Sequence, residues 1–209
     1  MSSSVPFATT VKGDYPMPIR IENLQKSFGS LPVLRDFSHD FLEGKIYCLF
    51  GPSGCGKTTL LHLIAGILPW DGGLVSGAEN KKIAFVFQED RLLPWRTAEE
   101  NIRFVLRQEN RDVLQYLRAV NLEEFKDYLP HQLSGGMARR VALARAFAYQ
   151  GQILLMDEPF KGIDEETKKK IMDYILHQKA TDNPEQIIIF TTHSIEESKY
   201  MAHETVRFP

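Results

Sequence analysis

The chemistry this sequence can do is concentrated in one glycine-rich loop, a second glycine pair and a few polar residues at the ends of apolar runs. "GPSGCGKTT", residues 51 to 59, meets the pattern G-x-x-x-x-G-K-[ST] through Gly51, Gly56, Lys57 and Thr58. An apolar, strand-like run precedes it and a helical pattern follows, the context that this motif requires. The small residues Gly51, Pro52, Ser53, Gly54, Cys55 and Gly56 let the backbone pass close to an anion with successive N–H groups turned inward. The following helix, opening at Lys57, Thr58 and Thr59, adds its positive dipole end. Lys57 is the cation expected to reach the β- and γ-phosphates of a nucleotide, and the Thr58 hydroxyl is the expected Mg2+ ligand. A merely flexible turn does not account for the lysine.

Downstream residues suit the same chemistry. "ILLMDEP" (153–159) puts Asp157 at the end of a buried strand, where a carboxylate can serve the metal, with Glu158 beside it as a base for water. Such an acidic pair can instead cap the next helix. His193 ends the run "IIIFTTH" at the carboxyl edge of a sheet, where ligands gather in open α/β folds, whereas His39, His62, His131, His177 and His203 read as structural. Gln88 ends "IAFVF" and offers a neutral amide to a Mg2+ shell. The second glycine pair lies in "LSGGM" (133–137): Ser134, Gly135 and Gly136 open a helical pattern, and so form an anion-capable helix N-terminus that the first loop does not itself need.

The elements that position these residues are legible in outline. Four continuous apolar runs, 46–50, 83–87, 153–156 and 187–190, suit parallel strands buried on both faces. Thr58 to Leu68 and Glu165 to Lys179 carry helical patterns between them. Residues 89–133 differ, with helix-like stretches at Thr97 to Gln108, Arg111 to Val120 and Glu123 to Tyr128, and read as an inserted helical lobe. Ile19 to Phe41 alternates in short segments broken by Gly29 and Pro32, as an antiparallel flank does. Residues 1–17 read as a loose N-terminal arm and 18–209 as a single domain, the lobe comprising 89–133 and the helix starting at 135.

Composition narrows the partners. A formal net charge of −2 gives no reason to expect nucleic acid, and the run Lys168, Lys169, Lys170 reads as a solvated helix face. Two cysteines, Cys48 and Cys55, make neither a disulfide framework nor a zinc spacing, which fits a reducing, cytoplasmic setting. No apolar run approaches the roughly 20 residues of a membrane-spanning helix. A membrane role is therefore expected to come through a partner.

With Gly51 to Thr59, Gln88, Leu133 to Met137, Asp157 with Glu158, and His193 in this order, the chain resembles the nucleotide-binding subunits of ABC transporters. The resemblance covers nearly everything from Ile19 onward. It implies an α/β fold: a P-loop NTPase core with a mainly parallel sheet, an N-terminal antiparallel β flank and an inserted α-helical subdomain. It also implies roles. Phe28 in "LQKSFG" would stack on adenine, Gly51 to Thr59 with Gln88 would bind ATP, and Thr58, Gln88 and Asp157 would hold Mg2+. Glu158 would be the catalytic base, His193 the switch histidine and Lys57 the γ-phosphate cation. Ser134, Gly135, Gly136 and Asp164 would reach nucleotide held by a second copy of the chain, packed head to tail. The lobe and "EDRLLPWRTAEENIRF" (89–104) would receive a coupling helix of a membrane permease through Leu92, Leu93, Pro94 and Trp95, whose plainer role is packing within the lobe. The subunit would then sit at the cytoplasmic face of the membrane, served indirectly by a substrate-binding protein. The wording of "QEDRLLPWRTAEENI", "HQLSGGM" and "RVALARAF" is most like importers of nitrate, taurine and aliphatic sulfonates, or of thiamine precursors.

Met137 stands where glutamine is commoner, and "FKGID" replaces a leucine-containing segment; neither removes a group expected to touch the reacting phosphate. Two other readings remain at this stage. A soluble ATPase of the same family acting on DNA or ribosomes would call for a long coiled-coil insertion or two cassettes, and neither occurs in this sequence. A regulatory module without turnover would lack Lys57, Glu158 or His193, and all three are present.

Overall fold

Side chains that need two buried faces dictate the layering. The computed structural model describes residues 18–106 and 112–208. Within them the order is β1 (Ile19–Phe28), β2 (Leu31–Phe41), β3 (Ile46–Phe50), α1 (Lys57–Ile64), β4 (Gly72–Ser76), β5 (Ile83–Val86), α2 (Ala98–Arg103), α3 (Leu114–Ala119), α4 (Gly135–Tyr149), β6 (Ile153–Met156), α5 (Glu165–Thr181), β7 (Ile187–Thr192), α6 (Ile195–Met201) and β8 (Glu204–Arg207). One sheet, β5-β6-β7-β3-β8, is parallel throughout; the other, β2-β1-β4, is antiparallel. The expected N-terminal arm, 1–17, lies outside the described residues.

Alternation along the central strands divides the interior in two. Tyr47, Leu49, Ile153, Leu155, Ile187 and Ile189 share a core with α1 and the antiparallel sheet. Ile46, Cys48, Leu154, Met156, Ile188 and Phe190 face the other way, toward α4, α5 and the lobe. This is why the runs are apolar at every position: no face of β3, β6 or β7 meets solvent.

Several expected boundaries shift, each for a local reason. Helix α1 ends at Ile64 rather than Leu68, because Gly66 turns left-handed (φ 68°) and His62 O takes the N–H groups of Ile67 (2.9 Å) and Leu68 (3.3 Å). Strand β5 stops at Val86, and the next ring, Phe87, stacks on Phe85 with centroids 4.1 Å apart. Pro32 does not break β2 but lies within it, tolerated because β2 is an edge strand. Strands β4, short and opened by two glycines, and β8, short and largely polar, go beyond the expected elements. In the lobe, α2 and α3 are each shorter than their patterns, and Glu123–Phe125 is a single 3-10 turn. Gln108 and Arg111, inside the expected helices, fall outside the described residues. Lys168 corrects the expectation of a solvated lysine run: it is buried between Glu165 (2.8 Å) and Glu197 of α6 (3.0 Å), whereas Lys169 and Lys170 are exposed.

The segment that leaves β5 is fastened to the lobe by a fully buried asparagine. Asn101 accepts the Leu93 N–H (2.8 Å) and donates its amide to the carbonyls of Leu93 (3.2 Å), Arg96 (3.0 Å) and Thr97 (3.0 Å). Thr97 and Glu100 close a capping box over the same turn. Asn101→Ala leaves buried backbone groups without partners and is expected to cost about 2–3 kcal/mol, read from urea unfolding. A change under ~0.5 kcal/mol would contradict this account of how the segment is held.

Candidate functional site

The glycine-rich loop runs from the end of β3 to the start of α1. Gly54 (φ 81°) and Gly56 (φ 103°) are left-handed, and a Cβ at Gly56 would come within 3.0 Å of Val33 Cγ1, so both conformation and space demand glycine there. Ser53 and Pro52 are exposed on the loop, Cys55 and Thr59 half-buried. Lys57 is buried along its stem, and its ammonium donates to the carbonyls of Gly51 (2.8 Å) and Pro52 (2.7 Å), with Cys55 Sγ 3.7 Å away. A cation is thereby centred in the loop.

Thr58 reaches across to the next strand. Its hydroxyl donates to Asp157 Oδ2 (2.7 Å), and the Thr191 hydroxyl of β7 donates to Asp157 Oδ1 (2.7 Å). Asp157, only 2% exposed, is satisfied at both oxygens. Adjacent parallel pairing, Met156 opposite Phe190, is what brings Asp157 and Thr191 side by side at the carboxyl edge.

Glu158 then turns left-handed (φ 46°), an uncommon conformation for a residue with a side chain, held by its N–H donating to Thr191 Oγ1 (2.8 Å). The turn aims its carboxylate at two cations or donors: His193 Nε2 lies 3.0 Å from Oε1, and Lys161 Nζ 3.2 Å from Oε2. Burial pushes the Glu158 carboxyl upward, but Lys161 and His193 outweigh it and hold the group below the usual carboxylate range. Glu158, His193 and Ser53 of the glycine-rich loop line one cleft of about 460 Å³, together with Lys161 and Gly162. The backbone at His193 is fixed from behind. Thr192 Oγ1 is hydrogen-bonded to Glu197, accepts the Ser194 N–H (3.0 Å), and Glu197 in turn holds Lys168 of α5.

Other candidates stand apart from this cleft. Phe28 is half exposed at the end of β1, with Lys26 Nζ 5.6 Å from its ring centroid. Gln88 is exposed two residues beyond β5, whose last residue, Val86, accepts the Asp157 N–H (2.9 Å). Asp164 caps α5, accepting the Thr167 N–H (2.9 Å), and that bond holds its carboxyl below the usual range. Ser134 caps α4 through the Met137 N–H (3.2 Å), and Gly135 and Gly136 follow it; none of the three lines the cleft. Their glycines differ in kind. A Cβ at Gly136 would meet Gly162 O at 2.5 Å, whereas one at Gly135 would meet nothing within 4 Å. Gly135 thus satisfies no packing need of its own chain.

Thr191, Lys161 and Glu197 were not singled out from the sequence. The two threonines that end "IIIFTT" were the available signal, since a hydroxyl at the end of a strand buried on both faces needs a partner.

Comparisons with known proteins bear on the family and the fold. Residues 34–161 match the family model described as ABC transporter. The chain is similar to the aliphatic sulfonates import ATP-binding protein of Pseudomonas savastanoi, at 40% identity over 89% of this chain and 77% of that protein. It is also similar to the taurine import ATP-binding protein of Escherichia coli, at 37% identity over 90% of this chain and 78% of that protein. Among solved structures, a dimeric bacterial ABC transporter cassette superposes with a TM-score of 0.81 at 29% identity, covering 91% of this chain and 94% of that one.

Since Lys161 and His193 hold the Glu158 carboxyl down, these contacts stabilise the fold above the usual carboxylate range and lose their effect as pH falls through the lowered pKa. Lys161→Ala is expected to move the Glu158 titration to higher pH in a carboxyl-carbon NMR experiment. An unmoved or lowered titration would contradict the ion pair.

Proposed function

The chain belongs to the ABC transporter family, and from that premise we propose that it is the ATP-hydrolysing subunit of an importer, using the cleft at Glu158 and His193. The observation that carries the reading is the joining of the glycine-rich loop to the acidic strand end through Thr58 and Asp157, with Glu158 and His193 meeting 3.0 Å apart on the next turn.

In this reading the backbone N–H groups of residues 51–58 and the α1 N-terminus cradle the phosphates of ATP. Lys57 exchanges the carbonyls of Gly51 and Pro52 for phosphate oxygens, and Phe28 gives the adenine a ring to stack on. The oxygen donors fit Mg2+, which takes one or two protein oxygens and completes its shell with phosphate and water. Thr58, Asp157 and Gln88 would hold it. When bound, Mg2+ neutralises charge on the phosphates. Glu158 orients the attacking water and accepts its proton, a task suited to a carboxylate kept ionised. His193, beside that carboxylate, holds it and the γ-phosphate in line. Little covalent chemistry is asked of the protein: positioning and charge account for the rate.

The acceptor-poor end of α4 supplies the remaining piece. Ser134, Gly135 and Gly136 lie outside the cleft of Glu158 and His193, and we assign them, with Asp164, to the γ-phosphate side of ATP bound by a second copy packed head to tail. We assign the permease contact to a separate apolar groove of about 350 Å³, lined by Ile67, Phe85, Phe87, Val105, Arg145 and Tyr149, rather than to the expected Leu92, Leu93, Pro94 and Trp95, none of which lines it. Trp95 and Phe104 are both strongly exposed, apolar material of the kind a coupling helix takes. Among the described residues no helix is long and apolar enough to cross a membrane, so attachment to the cytoplasmic face would run through that contact. For cargo we favour the class named for the relatives, taurine and aliphatic sulfonates, delivered by a substrate-binding protein; nitrate, the other expectation, is not among those names.

Glu158→Gln is expected to keep ATP affinity within about threefold while lowering kcat by at least ~100-fold, and to collect as an ATP-bound dimer. Size-exclusion chromatography in ATP and Mg2+ is the check. A monomer under saturating nucleotide, or undiminished hydrolysis, would overturn the assignment of Glu158.

A further inference from the structure

The five residues that leave β5, Phe87 to Arg91, carry Gln88 out of the sheet, and most of their carbonyls have no ladder to join. Two arginines of α4 receive them. Arg139 donates from Nη1 to Phe87 O (2.5 Å) and from Nη2 to Gln88 O, and its Nε lies 3.1 Å from Asp90 Oδ1. Arg145, further along the helix, donates to Asp90 O (3.0 Å) and Arg91 O (2.9 Å). Arg91, left-handed at φ 45°, lays its guanidinium 3.9 Å from the Phe87 ring centroid. The conformation of the segment is therefore written by α4 rather than by its own hydrogen bonds.

Arg139 is the tighter of the two grips. It is only 6% exposed, and one planar guanidinium donates to two carbonyls while its charge lies beside the Asp90 carboxylate, a geometry that a lysine ammonium cannot reproduce. It also stands one turn from Gly135, near the end of α4 that engages the second copy in the proposed function. The helix is unbroken between these points, so the grip on Gln88 O and the partner-facing end belong to one element.

We propose that Arg139 is a positioning residue for the reaction: by gripping Phe87 O, Gln88 O and Asp90 from the first turns of α4, it places the Gln88 amide and couples that placement to the partner-facing end of the helix. This rests on the reading of Gln88 as a site residue. The alternative is an arginine that only stabilises a turn, and the two differ in whether its effect passes through Gln88.

The test is a double-mutant cycle in the full chain with Gln88→Ala, Arg139→Gln and the pair. Three quantities are measured: kcat and KM for ATP, the affinity of a fluorescent ATP analogue with and without Mg2+, and the melting temperature. Each single variant is expected to lower kcat about tenfold and to weaken the Mg2+-dependent gain in analogue affinity, with Mg2+-free affinity within about twofold of the parent. The pair is expected to be no worse than Gln88→Ala alone, within about twofold. Arg139→Lys, which keeps the charge and loses the fork, is expected to behave like Arg139→Gln and serves if the latter fails to fold. Effects that multiply in the pair, or a melting shift with kcat intact, would overturn the proposal. A silent Gln88→Ala would instead remove the site reading beneath it.

Discussion

The buried carboxylate of Asp157 is the constraint on which the rest of the site depends. An ionised group so nearly out of solvent costs several kcal/mol unless hydrogen bonds replace its water. Here two hydroxyls from distant parts of the chain, Thr58 and Thr191, do so at 2.7 Å each. That requirement fixes the glycine-rich loop against the strand end and sets β7 beside β6 in register. The same Thr191 oxygen takes the N–H of Glu158, so the left-handed turn that aims Glu158 at His193 is stabilised by the group that anchors Asp157. The residues proposed to face metal and water, Asp157 and Glu158, are thus adjacent in the chain and both held by Thr191.

In the proposed function one chain assembles half of the arrangement. The loop, Asp157, Glu158 and His193 converge, and a second network through Thr192, Glu197 and Lys168 ties the histidine segment to α5, whose cap is Asp164. The N-terminus of α4 stays outside the cleft. Its own chain holds it through Leu133 and Met137, which pack against the lobe-side core, through Arg140 donating to Val120 O and Asn121 O, and through the arginines that hold residues 87–91. Gly135, with open space where a side chain would stand, is the residue whose identity the single chain least explains. In the proposed head-to-tail dimer it would face the phosphates held by the second copy.

Much of this was legible in the sequence because it is local. The loop motif, the four apolar runs and the residues that end them are recognisable from spacing alone, and the structure puts β6 and β7 side by side as the placement of Asp157 and His193 requires. What escaped was set by distant partners. Lys168 in a run of three lysines reads as solvated, and only Glu197, 29 residues on, makes it a buried ion. Strands β4 and β8 are short, the first led by two glycines and the second largely polar, and they pair because β1 and β3 offer them edges. Nothing local in the sequence marks Arg139, since the two carbonyls it donates to and the carboxylate it pairs with lie about 50 positions upstream.

The central claim, that each site is completed by the other copy, is open to a direct mixing experiment. Two variants are prepared, both carrying Glu158→Gln: one with Lys57→Ala, which empties the loop of its cation, and one with Gly135→Asp, which puts a carboxylate at the open α4 N-terminus without crowding its own chain. Neither homodimer contains a complete site, but a mixed dimer contains one. Radiolabelled ATP retained through gel filtration at dimer size is expected for the mixture and for neither parent. Retention by the Gly135→Asp variant alone, or a mixture that behaves as the sum of its parents, would contradict the shared site.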